Sequence, residues 1–536
     1  MKLMKLILVA LVAVALVVPA LAQTDKLGAV NFQTSCKPPG HTLFIKAVSM
    51  LHSFWLDAAV KGFNEAAQED PACAIAHWGS AVAWLGNPLA GPPSPRGLAE
   101  GTAAVQRAKA AGGGTQRERD YIAAIETLYK DADKIDHRTR AQAYAKAMEQ
   151  LAERYPDDRE ASIFYALALN MTLNPNDKTY ANQLKAAGIL EKAFAAEPNH
   201  PGVAHYLIHS YDFPPIADKG LPAARRYASI APAAPHALHM PSHIFTRVGA
   251  WQDSIDTNRN SARAALEALR DNTTGLRSYE ALHAYDYMMY GFMQLAKDRD
   301  AKNLVEEVLA TKKLNVDHFV GAYAMASIPA RYSLERRQWA EAGRLTLTPP
   351  DLGWDKFPQA ESITWFARGI GAARSGDAAE ATKSLERIDT LRAALTLAKN
   401  NYWAEQSEIQ RLAVAGWIAR AQNRNEEAVN LLRQAADREA ATEKHPVTPG
   451  ALFPSREMLG DLLLDLGRAS EALAEFERSN KSERNRFLGL YGAARASQQA
   501  GDQAKAREYY TQLLTLTQTA DGERPEIKQA RAFLGR

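Results

Sequence analysis

Histidines crowd into one short stretch of this sequence. Of its thirteen histidines, six lie in a single segment, at His200, His205, His209, His236, His239 and His243. Imidazole nitrogens are common protein ligands of zinc, iron, nickel and copper. Because an even distribution would put most of these residues elsewhere in the chain, the crowding predicts a transition-metal site.

Four of these histidines form two pairs with helical spacing. His205 and His209 are four residues apart, and His239 and His243 repeat this spacing 34 residues later. Side chains four apart lie on one face of a helix, so each pair presents both rings to the same neighbour. We predict all four as metal ligands, with His236 as a further ligand from the same segment.

A later segment carries groups that can complete the site. His283 and Asp286 are three residues apart within 277–297, and Tyr287 and Tyr290 follow them. We predict that His283 and Asp286 add metal ligands from this third helix. Tyr287 and Tyr290 are predicted to contact a bound ligand.

Two charged residues follow the histidine pairs by one helical turn. Asp212, after His209, can orient an imidazole through the ring nitrogen that does not bind the metal. Arg247, after His243, can hold an anionic group. Its alternative is an ion pair within the fold.

The donor types limit the choice of metal. Imidazoles with a carboxylate suit zinc, copper or iron, and the thioether of Met240 favours copper. The helix of His205 and His209 lacks the glutamate of the zinc-protease motif, so that mechanism has no support. The alternative is that no cofactor binds and the histidines only donate hydrogen bonds to neighbouring helices.

Pro241 interrupts the second histidine pair. Proline has no N–H to donate, and its ring clashes inside a helix. The segment therefore either kinks at Pro241 or starts a helix there. In the second case His236 and His239 lie in a loop.

The elements that carry these residues follow a repeat. Gly467, Ala472 and Phe476 recur 34 residues later as Gly501, Ala506 and Tyr510. This period, with a small residue at the turn and an alanine and an aromatic in the second helix, is typical of tetratricopeptide repeats. Further copies of the spacing occur at Ala59-Phe63-Ala66-Pro71, Ala186-Leu190-Ala193-Pro198, Ser254-Asn258-Ser261 and Ala428-Leu432-Ala435.

The repeat predicts an all-α protein, a right-handed α-solenoid of tetratricopeptide-type helical hairpins with almost no sheet. First helices of successive hairpins would line its concave groove and bring the histidine pairs together there. Proline-rich and glycine-rich stretches divide the chain into N-terminal hairpins (23–110), a central array with the histidine-rich groove (111–345) and a C-terminal array (346–536).

The first residues predict export. Lys2 and Lys5 precede an apolar run too short to span a bilayer, and Ala20-Leu21-Ala22 fits a signal-peptidase site. A signal peptide of residues 1–22 predicts a periplasmic or secreted protein. No later stretch is apolar enough to span a membrane after cleavage.

The two cysteines, Cys36 and Cys73, are predicted to form a disulfide, because an oxidising compartment favours pairing. The alternative uses Cys73 and His77 as metal ligands, with His52 near by.

Charge and composition bear on partners. The sequence has a formal net charge of +3, which gives no electrostatic reason to expect binding to nucleic acid. Repeat arrays commonly bind a protein or peptide in the concave groove. Two functions therefore compete: an interaction scaffold without metal, and a metal-binding protein or metalloenzyme that uses the histidine cluster.

The chain resembles a family of exported bacterial tetratricopeptide-repeat proteins. The resemblance lies in short sequence segments along most of the chain, among them residues 51–55, 117–122, 205–212, 235–251 and 486–494. It implies the repeat fold and export, and it marks the histidine-rich segments as features of the family. It implies no particular reaction.

Overall fold

A computed structural model describes residues 27–174, 177–269 and 275–536. The predicted signal peptide lies outside these residues. Within the described ranges the regular secondary structure is helical, apart from one pair of two-residue parallel strands, β1 (Leu276–Arg277) and β2 (Lys313–Leu314). The prediction of an all-α fold with almost no sheet is confirmed.

The helices follow one another with short connections. The N-terminal helices are α1 (Pro38–His52), α2 (Leu56–Glu69), α3 (Ala74–Ala83), α4 (Pro95–Ala111), α5 (Gln116–Tyr129), α6 (His137–Arg154), α7 (Arg159–Met171) and α8 (Ala181–Ala196). The central helices are α9 (Pro201–Tyr211), α10 (Leu221–Ile230), α11 (Pro235–His239), α12 (Pro241–Val248), α13 (Trp251–Glu267), α14 (Tyr279–Gln294), α15 (Asp298–Leu309), α16 (Phe319–Glu335) and α17 (Trp339–Ala342). The C-terminal helices are α18 (Pro358–Ser375), α19 (Ala378–Leu397), α20 (Asn401–Ala421), α21 (Asn425–Ala441), α22 (Ser455–Asp465), α23 (Ala469–Ser482), α24 (Phe487–Gln499), α25 (Gln503–Leu516) and α26 (Pro525–Leu534).

Stacked hairpins account for the architecture, because each helix packs mainly on the next along the chain and on the helix two positions further. Phe476 of α23 shows why the repeat residues recur. Its ring is fully buried and lies so close to Gly460 of α22 and Gly492 of α24 that a Cβ at either glycine would overlap it. The small residues let successive helices approach, and the aromatic fills the space between them.

The C-terminal helices return to the central ones. The Trp251 indole N–H donates to the Asn485 carbonyl oxygen at 2.7 Å, and the Arg524 guanidinium pairs with Asp298. Lys178 pairs with Glu443 at 2.6 Å. The segment between α21 and α22, residues 442–454, also contacts the central region through Lys444, which pairs with Asp212, and through the Thr448 carbonyl oxygen, which accepts from the Tyr287 hydroxyl.

Among the helices of the described ranges, none combines the length and the apolar composition that a bilayer crossing needs.

Candidate metal centre

Three histidines converge from two helices to form a first group, which we call triad A. His205 and His209 extend from α9, and His236 extends from α11. The Nε2 atom of His205 lies 3.1 Å from Nε2 of His209 and 3.2 Å from Nε2 of His236. Three nitrogen donors therefore face one point.

Three further histidines form triad B beside it. His239 ends α11, His243 lies in α12 and His283 lies in α14. The Nε2 atoms of His239 and His243 are 3.0 Å apart, and the ring centroids of His239 and His283 are 4.2 Å apart. Within each triad the candidate ligand atoms all lie within 4.8 Å of one another.

The helix break at Pro241 positions three of these rings. The chain forms two short helices, α11 and α12, that meet at Met240, because Pro241 cannot donate to a continuous ladder. His236 and His239 are therefore helical, not in a loop. The break lets α11 supply one ligand to each triad, while α12 supplies His243.

A backbone carbonyl fixes the protonation of His205. Its Nδ1 lies 2.6 Å from the carbonyl oxygen of His52, which can only accept a hydrogen bond, so Nδ1 carries the proton. In a neutral ring the lone pair is then on Nε2, directed at the other two rings of triad A. Such a partner is what orients a metal-binding histidine in known sites.

In triad B both rings of the close pair are fixed in the same way. His239 Nδ1 lies 2.6 Å from Asn258 Oδ1, and the Asn258 amide N–H donates to the Ser254 carbonyl oxygen, so Oδ1 is the acceptor. His243 Nδ1 lies 2.9 Å from Asp212 Oδ2. Both rings therefore direct an Nε2 lone pair at the other, with no proton between them.

A metal ion would resolve this opposition. Two nitrogens bound to one ion at ~2.0–2.1 Å with an angle of roughly 90–110° lie about 2.9–3.4 Å apart, and the close pairs are 3.0–3.2 Å apart. A proton at the same place would create an imidazolium. Burial, with a contribution from neighbouring histidines or cations, lowers the pKa of both His239 and His243. The donor set therefore fits a transition metal.

Asp212 connects triad B to the segment that covers it. Its carboxylate accepts from Arg247 Nε at 2.9 Å and from Lys444 Nζ at 2.6 Å, besides the imidazole of His243. Burial would raise the pKa of Asp212, but Lys444 and Arg247 hold it well below its usual range. The carboxylate is therefore ionised and keeps His243 in the tautomer that exposes Nε2.

Two of the three rings in each triad are buried, and His236 and His283 are partly exposed. His205 is fully buried and His239 and His243 are each 2% exposed, and residues 442–454 contact the triad B side of the site. The Tyr287 hydroxyl, 3.3 Å from His243 Nε2, donates to the Thr448 carbonyl oxygen of that segment. That a groove offers these rings to a peptide stays a prediction, and His236 and His283 are the two rings that are partly exposed.

A cavity nevertheless reaches triad A. It has a volume of about 550 Å³, and its walls include His209, Asp212, Trp403, Lys444 and the loop 88–92. Aromatic and cationic side chains face it together. A small molecule in this cavity would touch His209, which is 8% exposed.

The structure places three other predicted residues differently. Asp286 does not reach either triad, because its Oδ1 accepts a hydrogen bond from Ser327 on α16, and burial raises its pKa to about 6. Tyr290 donates to Glu483 instead of contacting the site. Arg247 forms the internal ion pair that was its alternative role.

A third histidine group lies next to triad A but needs no ion. Glu160 of α7 bridges His52 Nε2 at 3.0 Å and His200 Nε2 at 2.8 Å. His52 Nδ1 pairs with the Tyr206 hydroxyl, and His200 Nδ1 accepts from the Val203 N–H at the start of α9. Every ring nitrogen has a partner, so the group works as a hydrogen-bonded clamp between α1, α7 and α9.

Sequence reasoning missed Glu160, Asn258 and Lys444. Only Asn258 left a readable signal: it occupies the position at which other copies of the repeat have leucine, such as Leu190 and Leu432. A buried amide at a packing position indicates a polar partner. Lys444 lies 232 residues from Asp212, and the sequence contains nothing that pairs them.

The structure joins Cys36 and Cys73 in a disulfide. The bond ties the segment before α1 to the start of α3. His52, the third member of the alternative metal site, is engaged by Glu160 instead.

The comparisons with known proteins do not assign the chain to a family. No family model matches the chain, and no curated protein matches it. Among solved structures, a human IFIT1 dimer with m7Gppp-AAAA is similar at 13% identity and a TM-score of 0.38, covering 83% of this chain and 90% of that one. Naa15/Naa10 bound to HypK-THB is similar at 11% identity and a TM-score of 0.23, covering 92% of this chain and 91% of that one. The hetero-tetramer Cut9-Hcn1 of the APC/C is similar at 10% identity and a TM-score of 0.28, covering 93% of this chain and 97% of that one.

Proposed function

We propose that this protein is an exported helical-repeat protein that binds a transition metal at triads A and B. One observation carries the proposal: the Nε2 lone pairs of His239 and His243 face each other at 3.0 Å, while both Nδ1 protons are committed to oxygen acceptors. A buried lone-pair opposition is unfavourable unless a cation lies between the two atoms.

The donor set favours copper or zinc. All six ligands of the two triads are imidazoles, and this set suits copper, zinc, iron and nickel. Asp286, which would have added the carboxylate typical of non-haem iron sites, is engaged elsewhere. Imidazole alone is compatible with both oxidation states of copper and with zinc.

Export remains part of the proposal on the strength of residues 1–22 and of the disulfide between Cys36 and Cys73, which persists in oxidising compartments. Mass spectrometry of the mature protein tests it. Cleavage predicts Gln23 as the first residue, and an intact N-terminus in an exporting host would contradict it.

A metalloenzyme is the second candidate, and the cavity of about 550 Å³ beside His209 favours it. Three protein ligands leave a coordination position free for water or a substrate. Trp403 and the ion pair of Lys444 with Asp212 in the walls suit a small ligand with an apolar and a polar part. A scaffold for protein partners would use mainly other surfaces of the solenoid, since His205, His209, His239 and His243 are buried.

Metal content tests the proposal. Protein purified without an affinity tag should contain a stoichiometric transition metal by inductively coupled plasma mass spectrometry. The double variant His239→Ala/His243→Ala should lose the metal of triad B. The control His41→Ala should retain the wild-type metal content, because the His41 ring, at the start of α1, pairs with Thr34 in the segment before that helix. Metal-free protein whose melting temperature does not rise on addition of Cu²⁺ or Zn²⁺ would instead support a scaffold without metal.

A further inference from the structure

We propose that triads A and B hold two metal ions that act together as one dinuclear centre. The inference rests on the proposed metal binding and adds the number of ions and their coupling. A single shared ion was the simpler expectation, and the geometry divides the histidines into two sets instead.

Each triad is complete as a ligand set. Triad A takes two rings from α9 and one from α11, and triad B takes one ring each from α11, α12 and α14. Three imidazoles are a sufficient protein ligand set for one ion with an open position. Neither triad needs a ring from the other to bind its ion.

The two sets of ligands are in direct contact. The rings of His209 and His243 have centroids 5.8 Å apart, and those of His236 and His239 have centroids 5.9 Å apart. Each of these pairs joins a ring of triad A to a ring of triad B. Ions bound by ligand shells in contact share one buried space, as in two-metal sites whose ions are about 3.5–4 Å apart.

The charges imply what lies between the ions. All six ligands are neutral, and the carboxylate that touches them, Asp212, is already paired with Arg247 and Lys444. Two cations a few ångströms apart in a buried site repel strongly. A small bridging anion, such as hydroxide or azide, would offset that repulsion, and the cavity beside His209 gives it a route of entry.

The neighbouring clamp formed by His52, Glu160 and His200 does not belong to the proposed dinuclear centre. Its carboxylate already accepts from both imidazoles, and each remaining ring nitrogen has a partner. Among the described residues, the structure therefore assigns one ion to each triad and none to the clamp. The clamp instead fixes the end of α1, where the His52 carbonyl orients His205.

Copper loading of the full-length protein tests the inference. We expect about two Cu²⁺ ions per chain and an electron paramagnetic resonance signal that accounts for far fewer than two spins, because the bridging anion would couple the two ions magnetically. Titration with azide should shift the visible absorption. The variants His236→Ala and His283→Ala each disable one triad and should hold about one Cu²⁺ with an ordinary mononuclear signal. His41→Ala should behave as wild type.

The outcomes separate this inference from the proposed function. Two copper ions that integrate to two uncoupled spins would overturn the dinuclear centre but leave metal binding in place. The same conclusion follows if wild-type protein binds a single ion. Absence of any bound copper or zinc would overturn both proposals.

Discussion

The Nδ1 atom of His239 lies 2.6 Å from Oδ1 of Asn258, and this contact determines which nitrogen of His239 faces His243. Asn258 lies on α13 at a position where other copies of the repeat place leucine. One polar residue at a packing position thus orients the His239 ring of α11 so that its Nε2 atom faces His243.

Asn258→Leu should weaken metal binding without disrupting the fold. Leucine fills the equivalent position in other hairpins, but it removes the acceptor that holds the His239 tautomer. Loss of such a partner typically costs about 10–100-fold in metal affinity. Competition titration with a chromogenic chelator measures the change. Asn258→Asp keeps an acceptor and should restore most of the affinity; equal affinities for wild type and Asn258→Leu would show that the contact is structural only.

In the metal-free protein, the buried histidines should contribute less to stability as the pH falls below about 6.5. Burial, reinforced by neighbouring histidines, lowers the pKa of His205, His209, His236, His239 and His283 well below the usual value. The unfolded chain, with histidine pKa values of about 6.5, therefore takes up protons that the folded chain refuses. The contribution of these rings to the free energy of unfolding is then highest above that pH and is lost on acidification, whereas buried carboxyls with raised pKa, such as Asp286, contribute in the opposite direction.

Each such imidazole contributes a slope of up to about 1.4 kcal/mol per pH unit. Urea denaturation of chelator-treated protein between pH 8 and 5 measures the total, with these pH limits roughly bracketing the histidine range. His205→Gln should flatten the slope by about one imidazole's share. A difference in stability between wild type and His205→Gln that does not change over this range would contradict the burial of a neutral ring at His205.

The sequence was most informative where the spacing of the candidate ligands matched the period of an α-helix. The pairs at His205 and His209 and at His239 and His243 share a face because they are four residues apart, and the repeat brings their helices side by side. What the period could not reveal was the division into two triads. That division depends on the break at Pro241, which turns His236 toward α9 and His239 toward α14.

Contacts between distant parts of the chain were beyond sequence reasoning. Lys444 covers Asp212 because the C-terminal helices return to the central ones, and nothing local to either residue encodes that pairing. Asp286 failed as a predicted ligand for a related reason. Its spacing from His283 is helical, but Ser327 of the next helix offers it a closer partner.

Gly202→Ala should disturb triad A indirectly, through the His52 residue that orients His205. A Cβ at Gly202 would lie 2.3 Å from His52 Nδ1, so the ring and the end of α1 must shift, and the His52 carbonyl with them. Overpacking of this kind typically costs about 1–3 kcal/mol, and metal affinity should fall as well. Thermal denaturation with and without metal measures both effects.

Gly188→Ala is the matched control. It lies inside α8 with no atom within 4 Å of the added methyl group, and alanine is favoured over glycine in a helix by up to about 1 kcal/mol. The control should be neutral or more stable, with unchanged metal content. If both variants behave alike, packing against His52 is not what positions His205.

The disulfide should stabilise the fold without contributing to metal binding. Cys36→Ser/Cys73→Ser removes a link that closes a loop of 37 residues, and the chain-entropy model predicts a loss of ~3–4 kcal/mol. Guanidinium denaturation of the variant and of reduced wild type measures it. Metal content should stay at the wild-type level, and its loss on substitution would revive Cys73 and His77 as ligands.

Anomalous X-ray diffraction from crystals of the metal-loaded protein tests the central claim most directly. We expect two anomalous peaks, each about 2.0–2.1 Å from three imidazole nitrogens, one enclosed by His205, His209 and His236 and the other by His239, His243 and His283. Peaks only at other sites, or histidine rings that pair with water and no metal in fully loaded crystals, would contradict it.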